Sequence, residues 1–289
     1  MKVVIAGGSG FLGSALAASL RLDGHDVTIV TRHPQTRDQA TWTDVEVVDG
    51  ADAVINLAGE PLDAGRWTDA RKASILESRI KATETIVKSI SNATKRPAVF
   101  LNASAVGIYG AHGDEALTED SPVGSDFLAS VCTAWEAAAM AAAWTTRVVL
   151  LRTGLVLDRN SGALAKLSRP FRLFAGGRVG SGNQYWSWIH RDDWTRMVRW
   201  SIDTEVIKGP LNLTAPSPVT NREFAQALGR ELHRPAVAPA PGFALRLMLG
   251  EMADAMILAG QRVLPARATR NGFEFRYPDL DSALRQIYR

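Results

Sequence analysis

A single cysteine, Cys132, stands among 289 residues. No internal disulfide can form, and a reducing compartment is the expected setting. No run of about 18 apolar residues occurs, which excludes a helix that crosses a bilayer. Lys2 followed by Val3-Val4-Ile5-Ala6 resembles the start of a secretory leader, but Gly7-Gly8-Ser9-Gly10 ends the apolar stretch after four residues. The expectation is therefore a soluble, cytoplasmic protein with no membrane partner. Basic runs are lacking too. The 33 Lys and Arg are scattered among 30 Asp and Glu for a net charge of +3, so nucleic acid is not an expected partner. The five histidines are dispersed, and with one cysteine they offer no metal-ligand spacing. What is present is 46% apolar and 22% charged residues, which suits a sizeable core in one large domain or two modest ones.

Strand and helix signals alternate through the first half. Val3-Ala6 is a short apolar run of the kind covered on both faces, and Phe11, Leu12, Leu16 and Leu20 recur at helical spacing until Gly24. Val27-Val30 predicts a second strand, Val45-Val48 a weaker one, and Ala53-Leu57 a firm one. A long helix carrying Ile75, Ile80, Ile86, Val87 and Ile90 follows, then a strand at Val99-Leu101. An alanine-rich helix spans about 127–143, and Val148-Leu151 closes the series. Strands separated by such helices predict βαβ crossovers and an α/β, doubly wound parallel sheet of the Rossmann type. That domain covers residues 1–155, with a return strand near 210–215. Residues 156–289 form a smaller C-terminal lobe, proline-punctuated and carrying a helix around Phe243 to Ile257.

Gly7, Gly10 and Gly13 fall at G-x-x-G-x-x-G spacing between the first strand and first helix, flanking Phe11 and Leu12. Such glycines permit a tight turn, admit a pyrophosphate to backbone N–H groups and bring helix close to strand. The second strand ends on Thr31-Arg32-His33, where selection of NAD calls for Asp or Glu. A guanidinium there suits a ribose 2′-phosphate and NADP(H), although an arginine on a solvent-facing turn before Pro34 reads the same way. Leu57-Ala58-Gly59 brings small residues to a strand end, either against an adenosine or simply in a turn. Ser104 and Tyr109 follow the strand at Val99, at the carboxyl end where such sheets place ligands. They are the candidate catalytic hydroxyls, and a packed tyrosine in a strand-to-loop turn is the alternative for Tyr109. The cluster Tyr185, Trp186, Trp188 and His190 reads more readily as core or lobe interface than as a binding platform.

These stretches resemble the extended short-chain dehydrogenase/reductase superfamily, and the whole chain resembles its atypical branch called the epimerase family, the nucleoside-diphosphate-sugar epimerase-like proteins. The likeness runs through Gly7-Gly13, Val54-Pro61, Glu77-Ser78-Arg79, Ala103-Gly110, Phe127-Leu128, Trp135-Glu136, Leu151-Gly154 and Trp188-His190. Ala215-Pro216, Gly250-Met252 and Gly272-Phe273 carry it into a segment at about 238–286 peculiar to the branch. The resemblance implies NADP(H) touching the glycine turn, Arg32, Leu57, Ala58, Gly59, Arg79, Ser104 and the segment after Leu151, including Gly154. It also implies a Tyr-x-x-x-Lys pair at the start of a helix near Phe127, the tyrosine acting as general acid/base and the lysine lowering its pKa. Residues 127–134 read FLASVCTA, with neither residue type, and no tyrosine in the chain has a lysine four residues on. Two functions follow as expectations. One is an NADP(H)-dependent oxidoreductase or epimerase-like protein acting on a small-molecule substrate, with Ser104 and Tyr109 as substitute polar groups. The other is a catalytically silent NADP(H)-binding sensor or partner-binding protein.

Overall fold

Alternation within the short buried strands organises the molecule, because successive side chains point to opposite faces of a sheet. In the computed structural model, which describes Met1–Arg289 apart from the side chain of Val45, Val3 and Ile5 enter one apolar layer and Val4 and Ala6 another. The elements in order are β1 (Lys2–Ala6), α1 (Phe11–Leu22), β2 (Asp26–Val30), β3 (Gln39–Ala40), β4 (Ala53–Asn56), α2 (Asp69–Asn92) and β5 (Val99–Ala105). Next come β6 (Ala116–Leu117), α3 (Phe127–Met140), β7 (Arg147–Thr153), β8 (Leu155–Leu157), α4 (Gly162–Arg172), β9 (Tyr185–Trp186), β10 (Trp188–His190) and α5 (Arg191–Asp203). The chain ends with β11 (Gly209–Leu213), β12 (Val219–Thr220), α6 (Asn221–Leu232), α7 (Gly242–Leu249), α8 (Glu251–Ala253), β13 (Arg262–Val263), α9 (Ala266–Arg270) and α10 (Leu280–Tyr288).

Seven strands form one parallel sheet in the order β11-β7-β5-β4-β1-β2-β3. On one face Leu16 and Leu20 of α1 and Trp194, Met197 and Val198 of α5 cover the sheet. On the other, Ile86 and Ile90 of α2 and Ala139 of α3 do so. Full burial of an aliphatic side chain contributes about 1.5–3 kcal/mol, so these two layers dominate stability. A third core joins Leu164 and Phe171 of α4, Phe224 and Leu228 of α6, and Leu280 and Leu284 of α10. The second half of the chain thus builds a smaller body and also returns α5 and β11 to the sheet. Residues 259–273 cross back as well: β13 pairs with β6, and Ala268 and Phe273 enter the first core.

Three local expectations are corrected. Val45–Val48 is a 3-10 turn, not a strand, and the edge position belongs to the two residues of β3. β5 runs on through Ala105, so Ser104 lies within the strand and its direction is set by the pleat. The expected helix at 243–257 is broken at Gly250, whose φ of +63° suits glycine alone.

Candidate functional site: a crevice at the sheet's switch point

Connections leave β1 toward β2 on one side and β4 toward β5 on the other, so the crevice between the β1 and β4 ends is the switch point where open α/β sheets bind ligands. A cavity of about 510 Å³ lies there, walled by Gly7 and Gly10 from the first turn, Leu57 to Glu60 from the loop after β4, and Ser78, Lys81 and Thr85 from α2.

The glycines answer to separate constraints. Gly7 has φ +75°, and a Cβ on it would lie 2.9 Å from the Ala58 nitrogen. A Cβ on Gly13 would lie 2.4 Å from the Gly7 carbonyl oxygen, so Gly13 seats the helix on the turn. At Gly10 the only contact would be the Gly7 oxygen at 3.4 Å, and φ is an ordinary −78°. Protein packing does not demand a glycine at position 10; the space above it is left free. Gly10 is the N-cap of α1, no side chain caps that helix, and its first turn carries no acid. The N–H groups around Phe11 and Leu12 and the positive end of the helix dipole are therefore available to an anion. This cradle fits a pyrophosphate.

The facing loop is held from below. Asn56 Oδ1 accepts the Ala58 N–H at 3.2 Å, and Asn56 Nδ2 donates to Thr83 Oγ1 at 2.9 Å and to Asn102 Oδ1 at 2.8 Å. Trp135 Nε1 donates to the same Thr83 oxygen at 2.9 Å. Arg79, expected to touch the cofactor, is buried beneath the loop. It donates to the carbonyls of Glu60 and Ile75, and its guanidinium carbon would lie 3.1 Å from a Cβ on Gly59. These contacts brace the loop from below.

Arg32 stands on the crevice rim with 79% of its side chain exposed, 3.9 Å from Glu60 Oε1. Trp42 lines the same wall, one edge packed against the second core. It follows a strand only two residues long, which left no periodicity to announce it.

Both candidate hydroxyls turn away from the crevice. The pleat of β5 leaves Ala103 and Ala105 half-buried and directs Ser104 inward, where its Oγ donates to Glu136 Oε1 at 2.6 Å. Arg152 grips that carboxylate through Nε at 2.8 Å and a terminal nitrogen at 2.9 Å. Another Arg152 nitrogen donates to the Tyr109 hydroxyl at 3.0 Å, which itself donates to Asn212 Oδ1 at 2.7 Å. Tyr109 is fully buried, and that burial pushes its phenol above the ordinary value near 10. The two hydroxyls expected to meet a ligand lie in a buried network tying β5, α3, β7 and β11 together.

The face of α3 that lies against the end of β5 carries Leu128, 3.4 Å from where a Cβ on Gly107 would sit, and one turn on Cys132, beside Ala105 and Ser104. At the four-residue spacing that a tyrosine–lysine pair needs, there is an alkyl chain and a thiol pushed up to about 11 by burial and by Glu136. Gly154 lies away from the crevice, packed so closely that a Cβ would fall 2.5 Å from the Ser187 oxygen. His190 is structural: its Nδ1 accepts the Asp192 N–H at 3.0 Å, capping α5, and its Nε2 faces Gln286 Oε1 at 2.8 Å.

The model of the NAD dependent epimerase/dehydratase family matches residues 3–213, and that of a domain of unknown function matches residues 240–287. The chain is 42% identical over 290 residues to an epimerase family protein of Mycobacterium leprae, covering 98% of this chain and 94% of the relative. It is 41% identical over 304 residues to a chloroplastic one of Arabidopsis thaliana, covering 99% and 86%. Among solved structures it is similar to human epimerase family protein SDR39U1 with NADPH, at a TM-score of 0.94 and 36% identity, covering 100% of this chain and 99% of that one.

Proposed function

Because the chain belongs to the NAD dependent epimerase/dehydratase family, we propose that it binds NADP(H) in the crevice and is an oxidoreductase of the extended short-chain type working without a tyrosine–lysine proton relay. The observation that carries the cofactor choice is the exposed Arg32 guanidinium at the end of β2, where selection of NAD needs a carboxylate. The NADPH in the similar human structure supports the same choice.

When bound, the nicotinamide supplies a site that accepts or releases hydride. The open N–H groups of α1 bind the pyrophosphate, and Arg32 pairs with the 2′-phosphate. The Asn56–Thr83–Asn102 network fixes the loop that the adenosine half lies against. The half-buried residues on either side of Ser104 in β5 are Ala103 and Ala105, whose methyl groups transfer no proton. Positioned acid–base assistance is worth about 10²–10⁴-fold in rate. Interconversion of UDP-glucose and UDP-galactose is accordingly expected to proceed no faster than in buffer, and robust turnover would refute this account of the active site.

The second reading, a silent NADP(H) sensor, is favoured by the sequestration of Ser104 and Tyr109. Single-turnover mixing of the NADPH complex with a panel of aldehydes, ketones and quinones, followed by nicotinamide absorbance, separates the two. Loss of NADPH with any of them supports the oxidoreductase; stable absorbance with all of them favours the silent NADP(H)-binding reading.

A further inference from the structure

Glu60 is the only acidic side chain lining the crevice among the described residues, and it is held unusually firmly for a rim residue. Its N–H donates to Ser78 Oγ at 3.1 Å, and its carbonyl accepts from Arg79 at 3.1 Å. Arg71, which also donates to the Pro61 carbonyl, lies 3.3 Å from Glu60 Oε2. Backbone and one carboxylate oxygen are thus fixed, and the other oxygen faces Arg32 at 3.9 Å. The two partners differ in freedom: the Glu60 side chain is 32% exposed and the Arg32 side chain 79%.

We propose that Glu60 sets the cofactor specificity of the crevice by competing with the ribose 2′-phosphate for Arg32. This rests on the NADP(H) reading above. With no 2′-phosphate present, Arg32 rests on the fixed carboxylate, and a cofactor lacking that phosphate leaves the pair undisturbed. A 2′-phosphate carries about −1.5 to −2 charges near neutral pH. It draws the mobile guanidinium away and then stands beside a carboxylate that cannot follow. Glu60 therefore lowers affinity for phosphorylated cofactors selectively. An exposed pair at 3.9 Å is weak, so the exchange is fast and reversible.

The probes are 2′,5′-ADP and 5′-AMP, which differ by the 2′-phosphate alone, titrated by calorimetry into the full-length wild type, Glu60→Gln and Glu60→Ala. Glu60→Gln preserves the shape and the backbone contacts, and thermal melting checks that each variant is folded. The expected result is that both variants bind 2′,5′-ADP roughly two- to fivefold more tightly at low ionic strength, with 5′-AMP affinity unchanged. The gain shrinks as salt is raised and is smaller in an Arg32→Ala background. Weaker 2′,5′-ADP binding, or equal shifts for both probes, overturns the proposal, since Glu60 would then be orienting Arg32 or contacting the shared ribose. A wild type indifferent to the 2′-phosphate overturns instead the NADP(H) reading on which it rests.

Discussion

Gly10 and Gly13 stand three residues apart in one turn, and the structure separates their duties. A methyl on Gly13 collides with the Gly7 carbonyl, so Gly13→Ala is expected to lower stability by about 1–3 kcal/mol in urea unfolding. Gly10→Val meets little protein and is expected to stay folded while losing NADP(H) binding, because its side chain enters the pyrophosphate space. A folded Gly10→Val that binds normally would show that the turn is structural only. Ser104 carries a different expectation. Its hydroxyl donates to a buried carboxylate that Arg152 also grips, so Ser104→Ala should cost about 2 kcal/mol of stability and leave NADPH affinity unchanged. A tenfold loss of affinity with unchanged stability would return Ser104 to the ligand site. The serine and its motif were legible in the sequence. Its direction was not, because that depends on β5 running four residues beyond Leu101.

Among the elements, α1, β2 and β4 were readable because short apolar runs and helical spacing each point to a single structure. Val45–Val48 misled because three valines around Glu46 fit a 3-10 turn that buries Val48 as well as they fit a strand. Trp42 belongs to no spaced pattern, and Glu60, although within the stretch Val54-Pro61, carried no role there; it is the contacts of the loop after β4 with Ser78 and Arg79 of α2 that hold it at the crevice. The N-terminus of α5 yields a pH prediction. Burial holds the His190 imidazole below its ordinary value of 6.5, with Asp192 and Asp193 opposing that shift and Arg191 adding to it. A group whose pKa is lower in the folded state favours folding above its unfolded value and loses that contribution as pH falls. Protonation also removes the Nδ1 acceptor that caps the helix. Melting temperature is therefore expected to fall from about pH 6.5 downward, and to fall less in His190→Asn, which keeps a capping side chain. Glu119, whose carboxyl is pushed up by burial, acts in the opposite direction, so the difference between the two proteins isolates the histidine. Equal pH dependence in both would remove His190 from the account.

Across the whole molecule, the crevice and five of the seven sheet strands lie within the first 110 residues, β7 and β11 are added later, and the C-terminal segment acts through contacts that no local pattern encodes. Glu119 accepts the backbone N–H groups of Asn212 at 3.1 Å and Arg267 at 3.2 Å, and Ser187 bonds to both Gln261 and Val263. Residues 240–287 are thereby stitched to the sheet, and ligand binding at the crevice is expected to stabilise the chain as a unit. NADPH at a hundred times its Kd contributes about 2.7 kcal/mol, or a rise in Tm of about 5 °C for a chain of this size. The central claim is selective NADP(H) binding through Arg32, and calorimetric titration of the wild type and Arg32→Ala with NADPH and NADH tests it most directly. The account predicts that NADPH binds the wild type at least tenfold more tightly than NADH, a difference of about 1.4 kcal/mol, and that Arg32→Ala removes most of that gap. Equal affinities in the wild type, or a preference that survives the loss of Arg32, would contradict it.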